Sequence, residues 1–190
     1  MIKKLYLMRH GETLFNVLKK VQGTCDSPLT EKGIQQAKLA RDFFQENGIK
    51  FDHLTPLPKI ISESKEYQRL KGLKEMNHGL YEGEPQFLQP DGAEYFETFY
   101  SQFGGESLSA VQKRVSSTLH HIMAIDDHQQ VLAVSHNGAC VSFLQTLQQE
   151  NKDELIRAYP NCAIFIFNYM DKQFELVDII DPVMKESILC

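Results

Sequence analysis

The chain has 190 residues, 42% of them hydrophobic, and its 20 basic and 25 acidic residues give a formal net charge of −5. This length fits one domain with a full core, and the apolar content excludes a mostly disordered chain. The acidic balance argues against broad nucleic-acid binding, which needs a basic face, and no apolar run is as long as a membrane span. We therefore expect one domain over 1–190 that binds neither nucleic acid nor membrane.

The amino-terminal residues and the cysteines bear on the cellular compartment. The first residues lead directly into a strand-like stretch, without the long apolar region and cleavage site of a signal peptide. Cys25, Cys140, Cys162 and Cys190 match no zinc or redox spacing and are too few for a disulfide scaffold. We expect reduced thiols in a cytoplasmic protein.

The first predicted strand covers residues 2–8 and leads directly into Arg9, His10 and Gly11. In an open α/β sheet, ligands bind just past the carboxyl ends of the strands, so Arg9 and His10 are expected at the edge of a pocket. A neutral imidazole is a nucleophile at neutral pH, and a guanidinium holds phosphoryl oxygens in a flat fork. This pair suits phosphate chemistry, although an Arg-His-Gly tripeptide is also compatible with an ordinary surface turn.

Further along the chain, Thr30 is predicted to cap a helix that runs to about residue 46 and stops at Gly48. A short strand over 51–54, a break at 55–58, a short helix over 59–65 and a strand over 69–73 follow. Residues 77–105 are irregular, aromatic and acidic, which is typical of a lid or a binding insertion. Their aromatic side chains are equally compatible with a small satellite core.

The second half of the chain alternates strands and helices. The pattern predicts a helix over 107–125, a buried strand over 130–135, a helix to about residue 149, and two closing strands over 163–169 and 174–180. This alternation predicts an α/β three-layer sandwich, with a mostly parallel central sheet and helices on both faces.

A second histidine, His136, directly follows the strand at 130–135 and is followed by Asn137 and Gly138. Two histidines at the carboxyl ends of strands in one sheet favour a shared anionic site. A carboxyl group beside it is needed to protonate a leaving oxygen, and Glu75 and Glu82 are the candidates, with a solvated surface charge as the plain alternative. His78 is a further possible pocket residue.

These motifs together resemble the histidine phosphatase superfamily, the phosphoglycerate mutase-like proteins. The likeness covers nearly the whole chain, and each motif is modest alone while the ordered set is specific. Its elements are Leu7-Met-Arg-His-Gly-Glu-Thr13, Asn16, Gln22-Gly23, Asp26, Pro28-Leu-Thr30, Gly33, Gln36-Ala37, Leu73-Lys-Glu75, Gly79, Glu82-Gly83, Gly104-Gly-Glu-Ser107 and Ser135-His-Asn-Gly138.

The resemblance implies a role for each of several residues. His10 is expected to become the phosphohistidine, Arg9 and His136 to hold the phosphoryl group, and Glu75 to be the proton donor. Asn16, Asn137, Gly138 and Glu82 are the further substrate-binding residues that we predict. The resemblance also implies that neither a metal nor a cofactor is needed and that the ligand is a small phosphorylated metabolite.

One departure from the family pattern concerns a second arginine that normally clamps the phosphate. No arginine lies between Arg41 and Arg69, and the segment around Lys59 is several residues short. Either the chain lacks this clamp or residues are missing from the sequence at that point. Lys59 offers a point charge without the bidentate fork, and we do not count it among the catalytic residues.

Three functions are compatible with these observations. The first is a phosphatase of small phosphate monoesters, which the loop over 22–30 favours. The second is a phosphoglycerate mutase using the same nucleophile. The third is a phosphate-binding protein with little catalysis, which the missing arginine suggests. The sequence identifies neither the substrate nor the oligomeric state, for which a dimer is one option.

Overall fold

The computed structural model describes residues 2–54, 70–90, 92, 95–147 and 158–189. Within these ranges the strands are β1 Lys3–Arg9, β2 His53–Leu54, β3 Gln130–Ser135, β4 Ile164–Met170, β5 Gln173–Asp181 and β6 Glu186–Ser187. The α-helices are α1 Leu14–Val17, α2 Glu31–Glu46, α3 Tyr95–Thr98, α4 Leu108–Ala124 and α5 Asn137–Leu147. None of the helices in the described part of the chain is long and apolar enough to cross a membrane.

The strands form one sheet in the order β2-β3-β1-β4-β5-β6. β1 and β2 pair with β3 in parallel, and Leu5 lies opposite Val131. The other three pairings are antiparallel. β4 runs against β1 because it begins at the edge where β1 ends, as the hydrogen bond from Arg9 N–H to the Ala163 carbonyl shows. The parallel half of the sheet, which the sequence predicted, is the half that carries both strand-end histidines.

Each face of the sheet has its own apolar core, so the predicted three-layer arrangement is confirmed. On one face, α4 and α5 cover the strands, with Val115 and Phe143 packed among Leu5 and Phe167. On the other face lies α2, which buries Gly33, Ala37, Ala40 and Phe44 against the sheet. These four α2 residues are spaced for one helical face, as the sequence pattern predicts.

A capping side chain begins each of the two long helices, at the predicted cap Thr30 and at the predicted helix start Ser107. Thr30 accepts a hydrogen bond from the Gly33 N–H at the start of α2, and Ser107 accepts one from the Ala110 N–H at the start of α4. Each such cap contributes about 1 kcal/mol to helix stability. The two predicted closing strands are confirmed as β4 and β5, which form a hairpin whose turn residues Asp171 and Lys172 both have positive φ.

The predicted strand over 69–73 is wrong for the residues that the structure describes, because Lys71–Leu73 forms a 3₁₀ turn. The backbone carbonyls there are satisfied by side chains rather than by a neighbouring strand. Arg114 donates to the Gly72 and Lys74 carbonyls, and the Ser135 hydroxyl donates to that of Leu73. The predicted break at 55–58, the helix at 59–65, Lys59 and Arg69 lie outside the described residues.

In the segment over 77–105, the described residues form short turns rather than long elements, including 3₁₀ turns at Gly79–Tyr81, Gln86–Leu88 and Tyr100–Phe103. Tyr100 is 1% exposed and is surrounded by other aromatic rings, including Tyr81, Phe96 and Phe99. Tyr100 belongs to the same apolar core as α4 and α5, and the other rings pack against that core, so they extend the main core rather than form a separate satellite core. A lid function for the segment stays a prediction.

Candidate active site

The two strand-end histidines lie against each other. His10 follows β1 and His136 follows β3, and since β1 and β3 are parallel neighbours, both side chains emerge at the same edge of the sheet. Their ring centroids are 4.7 Å apart, in an edge-to-face arrangement with an interplanar angle of 70°. Two imidazoles distant along the chain therefore share one site.

The carbonyl of the next residue, Gly11, holds the His10 ring in one orientation. Its Nδ1 lies 2.7 Å from the Gly11 carbonyl, and since a carbonyl only accepts, Nδ1 carries the proton and Nε2 keeps its lone pair. Burial, with His136 close by, lowers the pKa of His10 to about 4. The imidazole is therefore neutral at pH 7, which is the form that a nucleophile requires.

Arg9 and His136 bring unsatisfied polar atoms to the same place. One guanidinium N–H of Arg9 donates to the Tyr159 carbonyl. Arg9 Nε and His136 Nδ1 are buried and have no hydrogen-bond partner in the part of the chain that the structure describes. Burial, together with the charge of Lys74, lowers the pKa of His136 to about 4. Buried polar atoms without partners indicate a site for a polar ligand, and a phosphoryl group offers the acceptors that Arg9 lacks.

The Glu75 carboxylate lies at the amino end of α5, directly beside Gly138. Its Oε2 accepts from the Gly138 N–H at 2.8 Å, and its Oε1 accepts from the Met76 N–H at 2.9 Å. A Cβ on residue 138 would lie 2.6 Å from Glu75 Oε1, so the close approach requires glycine there. The carboxylate is also near enough to Arg9 and His10 to favour their charged forms.

The other predicted binding residues have mainly structural partners. The Asn16 Oδ1 accepts from the Thr13 N–H, and it lies 3.5 Å from the Asn161 Nδ2. Asn161 also donates to the His10 carbonyl at 3.2 Å, so Asn16 contacts the backbone of the nucleophile through this neighbour. The Asn137 Oδ1 accepts from the Tyr159 N–H at 3.0 Å, beside the carbonyl that Arg9 binds.

Glu82 contacts the loop backbone. Its carboxylate accepts from the N–H groups of Thr24, Cys25 and His78. Burial acts to raise its pKa, but these hydrogen bonds outweigh it and the pKa is lowered. Gly23 packs against the same carboxylate, since a Cβ there would lie 2.1 Å from Glu82 Oε1. Glu82 therefore fixes the loop that borders the site, and direct contact with a substrate stays a prediction.

Arg114, Tyr159 and Asn161 are residues that the sequence analysis did not single out. Arg114 binds Glu106 and the carbonyls of Gly72, Lys74 and Glu75, and so fixes the backbone that carries Glu75. The sequence gives one indication of this role, because Glu106 lies 8 residues before Arg114 in the Gly104–Ser107 motif. In the described ranges, no three His, Cys, Asp or Glu side chains group closely enough to hold a metal ion.

A cavity of about 250 Å³ opens next to this centre. Glu75 and Gly138 border it on the side of the histidines, and His78 and Phe96 lie on the side of the 77–105 segment. The carboxylate thus lies between the histidine pair and a space of a size that suits a small organic group.

This chain resembles known phosphoryl-transfer proteins in sequence and in fold. It is 30% identical over 159 residues, 76% of this chain and 74% of the other, to a protein named probable phosphoglycerate mutase GpmB of Yersinia pestis (strain Pestoides F). A phosphoserine phosphatase from Entamoeba histolytica is 26% identical, with a TM-score of 0.76 over 93% of this chain and 95% of that one. A phosphoglycerate mutase from Bacillus anthracis, 20% identical, shares the fold with a TM-score of 0.78 over 93% and 92% of the two chains.

The family model of the histidine phosphatase superfamily (branch 1) matches residues 5–182. This range begins inside β1 and ends just after β5, so it contains both histidines, Glu75 and all of the paired sheet except β6 and the first two residues of β1. The chain therefore belongs to the histidine phosphatase superfamily.

Proposed function

We propose that the chain is a phosphomonoesterase that works through a phosphohistidine at His10. The observation that carries the proposal is the contact between the His10 and His136 rings, with the Glu75 carboxylate accepting from the Gly138 N–H at the start of α5. Phosphoryl transfer depends mainly on positioning and on charge placed around the equatorial oxygens. Arg9 and His136 supply donors for those oxygens.

In the first step His10 Nε2 attacks phosphorus, and the bond from phosphorus to the alcohol oxygen breaks. Glu75 gives its proton to the departing oxygen, so the alcohol leaves neutral. In the second step Glu75 takes a proton from water, whose oxygen attacks phosphorus as the bond to Nε2 breaks. Inorganic phosphate leaves, and both His10 and Glu75 return to their starting forms.

The test of this proposal is replacement of the nucleophile. His10→Ala should lose phosphatase activity on p-nitrophenyl phosphate by at least about 10³-fold and should form no acid-labile phosphoenzyme. His121→Ala, which changes an exposed histidine of α4, is the matched control and should keep both. A phosphoenzyme in the His10→Ala protein would remove His10 from the mechanism.

Metal independence is part of the proposal, because the proposed roles are filled by Arg9, His10, Glu75 and His136. Activity should be unchanged after dialysis against EDTA. Recovery of lost activity by an added divalent cation, and by nothing else, would contradict a metal-free mechanism.

Phosphoglycerate mutase activity is the second candidate, because the Yersinia relative carries that name. Both activities use the same nucleophile and differ in the fate of the phosphohistidine. We would incubate the protein with 3-phosphoglycerate and a 2,3-bisphosphoglycerate primer. Isomer formation without release of inorganic phosphate would establish the mutase, and phosphate release without isomer would establish the phosphatase. Binding of vanadate without either product would instead support a binding protein with little catalysis.

A further inference from the structure

The cavity beside Glu75 bears on what the phosphate is attached to. This inference rests on the proposed function, since it assumes that the leaving alcohol lies on the Glu75 side of the phosphoryl group. The cavity is lined by both Glu75 and Gly138. Its volume, about 250 Å³, suits a small alcohol rather than a large conjugate.

The walls of this cavity are apolar side chains and neutral amides. The apolar part consists of Val21, Met76, Phe96, Leu108 and Val141. Gln22, Gln86 and Gln89 supply amides, which both donate and accept hydrogen bonds. Among the described residues that line the cavity there is no lysine and no arginine, and Glu75 is the only carboxylate.

His78 borders the cavity as a neutral group. Its ring lies edge-on against Tyr100, with centroids 4.6 Å apart, and its Nδ1 is buried without a hydrogen-bond partner among the described residues. Burial lowers the pKa of His78, although three nearby glutamates oppose the shift. At neutral pH the ring therefore offers a hydrogen-bonding nitrogen and no positive charge.

Of the described cations near Glu75, Arg9 is assigned to the phosphoryl group, and Lys74 and Arg114 are committed elsewhere. The Lys74 ammonium donates to the Thr24 carbonyl, 2.7 Å away, and lies 3.7 Å from Asp26. The Arg114 guanidinium is held by Glu106 and by backbone carbonyls. A substrate carboxylate in the cavity would lose water and would find no cation among the described residues that line the walls.

We infer that the enzyme prefers phosphate esters of uncharged alcohols over esters that carry a carboxylate. Amide and imidazole groups would bind the hydroxyl groups of such an alcohol, and the apolar side chains would cover its carbon skeleton. Because an unpaired, partly desolvated carboxylate is strongly disfavoured, the discrimination should be on the order of 10²-fold in kcat/KM.

The test uses glycerol 3-phosphate and 3-phosphoglycerate, which differ by a CH₂OH group in place of a carboxylate. The specificity constant of each ester is measured in competition with p-nitrophenyl phosphate, so that the ratio is obtained even where turnover is slow. We expect glycerol 3-phosphate to be preferred by about 10²-fold. Equal use of the two esters, or preference for 3-phosphoglycerate, would overturn the inference and leave the phosphatase proposal intact.

A charge introduced into the cavity provides the second measurement. Gln86→Lys places an ammonium at an exposed cavity residue and should raise kcat/KM for 3-phosphoglycerate about tenfold relative to kcat/KM for glycerol 3-phosphate. Gln102→Lys makes the same change at an exposed residue of the same segment that does not line the cavity, and it should alter neither value. An equal gain from both variants would reveal general steering and overturn the inference. Absence of turnover and of phosphoenzyme with every ester would refute the proposed function itself.

Discussion

Gly138 determines whether Glu75 can reach the leaving oxygen, and Gly138→Ala tests this directly. The added Cβ would lie 2.6 Å from Glu75 Oε1 and 3.0 Å from its Cδ, where ordinary contacts begin at 3.4 Å. The carboxylate must therefore retreat by about 0.8 Å to restore normal contact. Its hydrogen bond from the Gly138 N–H, now 2.8 Å long, would be strained or lost.

The size of the effect depends on the leaving group. General acid catalysis contributes about 10² to 10⁴-fold, and a misplacement of about 1 Å can remove about 10²-fold. An alkyl alcohol leaves as a strong base and needs the proton, so kcat/KM for an alkyl phosphate should fall by about 10²-fold, equivalent to about 2.7 kcal/mol. p-Nitrophenolate is stable without a proton, so kcat/KM for p-nitrophenyl phosphate should change by less than about fivefold.

The assay compares kcat/KM for glycerol 3-phosphate and p-nitrophenyl phosphate in the same protein preparations. Glu75→Gln keeps the shape of the side chain but removes the proton, and it should reproduce the dependence on leaving group. Gly48→Ala is the control: nothing lies within 4 Å of its added Cβ, but its φ of +65° makes alanine unfavourable. It should lose about 1 kcal/mol of stability and keep its catalysis. A Gly138→Ala protein that loses both substrates equally, or neither, would refute this role for Glu75.

Three further predictions concern stability. His10 and His136 have pKa values of about 4 in the folded protein and 6.5 in the unfolded chain. Below pH 6.5 both rings therefore take up protons only on unfolding, so the free energy of unfolding should fall as the pH is lowered from 7 to 4.5. Since both rings keep some solvent contact, we expect each to account for a loss of about 2 kcal/mol in the free energy of unfolding. Urea denaturation of the His136→Gln protein should show a smaller loss of stability as the pH is lowered. Arg114→Ala removes the cation paired with Glu106 and the donor to the Gly72 and Lys74 carbonyls, and should cost about 3 kcal/mol, measurable in the same assay. Thr30→Ala removes the α2 cap and should lower stability by about 1 kcal/mol without changing kcat/KM.

The sequence alone predicted those features that short sequence patterns determine. The capping threonine and the spacing of the small residues of α2 predicted both that helix and its buried face. Two apolar strands that each end in a histidine predicted that the rings would meet, since parallel neighbours in a sheet end at the same edge. The first prediction is local, while the second also uses the parallel sheet that the alternation of strands and helices predicts.

The sequence was insufficient where side chains far along the chain satisfy the backbone. The sequence pattern predicted a strand over 69–73, but Arg114, 42 residues beyond Gly72, takes carbonyls that a strand would have paired. Asn161 binds the His10 carbonyl across 151 residues and belongs to no recognisable motif. Such contacts depend on the tertiary fold, which periodicity and local propensity do not report.

The two sides of the site are built in different ways, and this difference separates chemistry from selectivity. The backbone of His10 is held from both sides: its N–H donates to the carbonyl of Ser135 in β3, and its own carbonyl accepts from the N–H of Cys162, which precedes β4. Such a nucleophile is preorganised, because no backbone movement is needed when the phosphoryl group arrives. The leaving-group side is instead made of short turns over 70–90, fixed by side chains such as Glu82 and Arg114. Substitutions that line the cavity should therefore change which ester is used while phosphohistidine formation from a good leaving group continues.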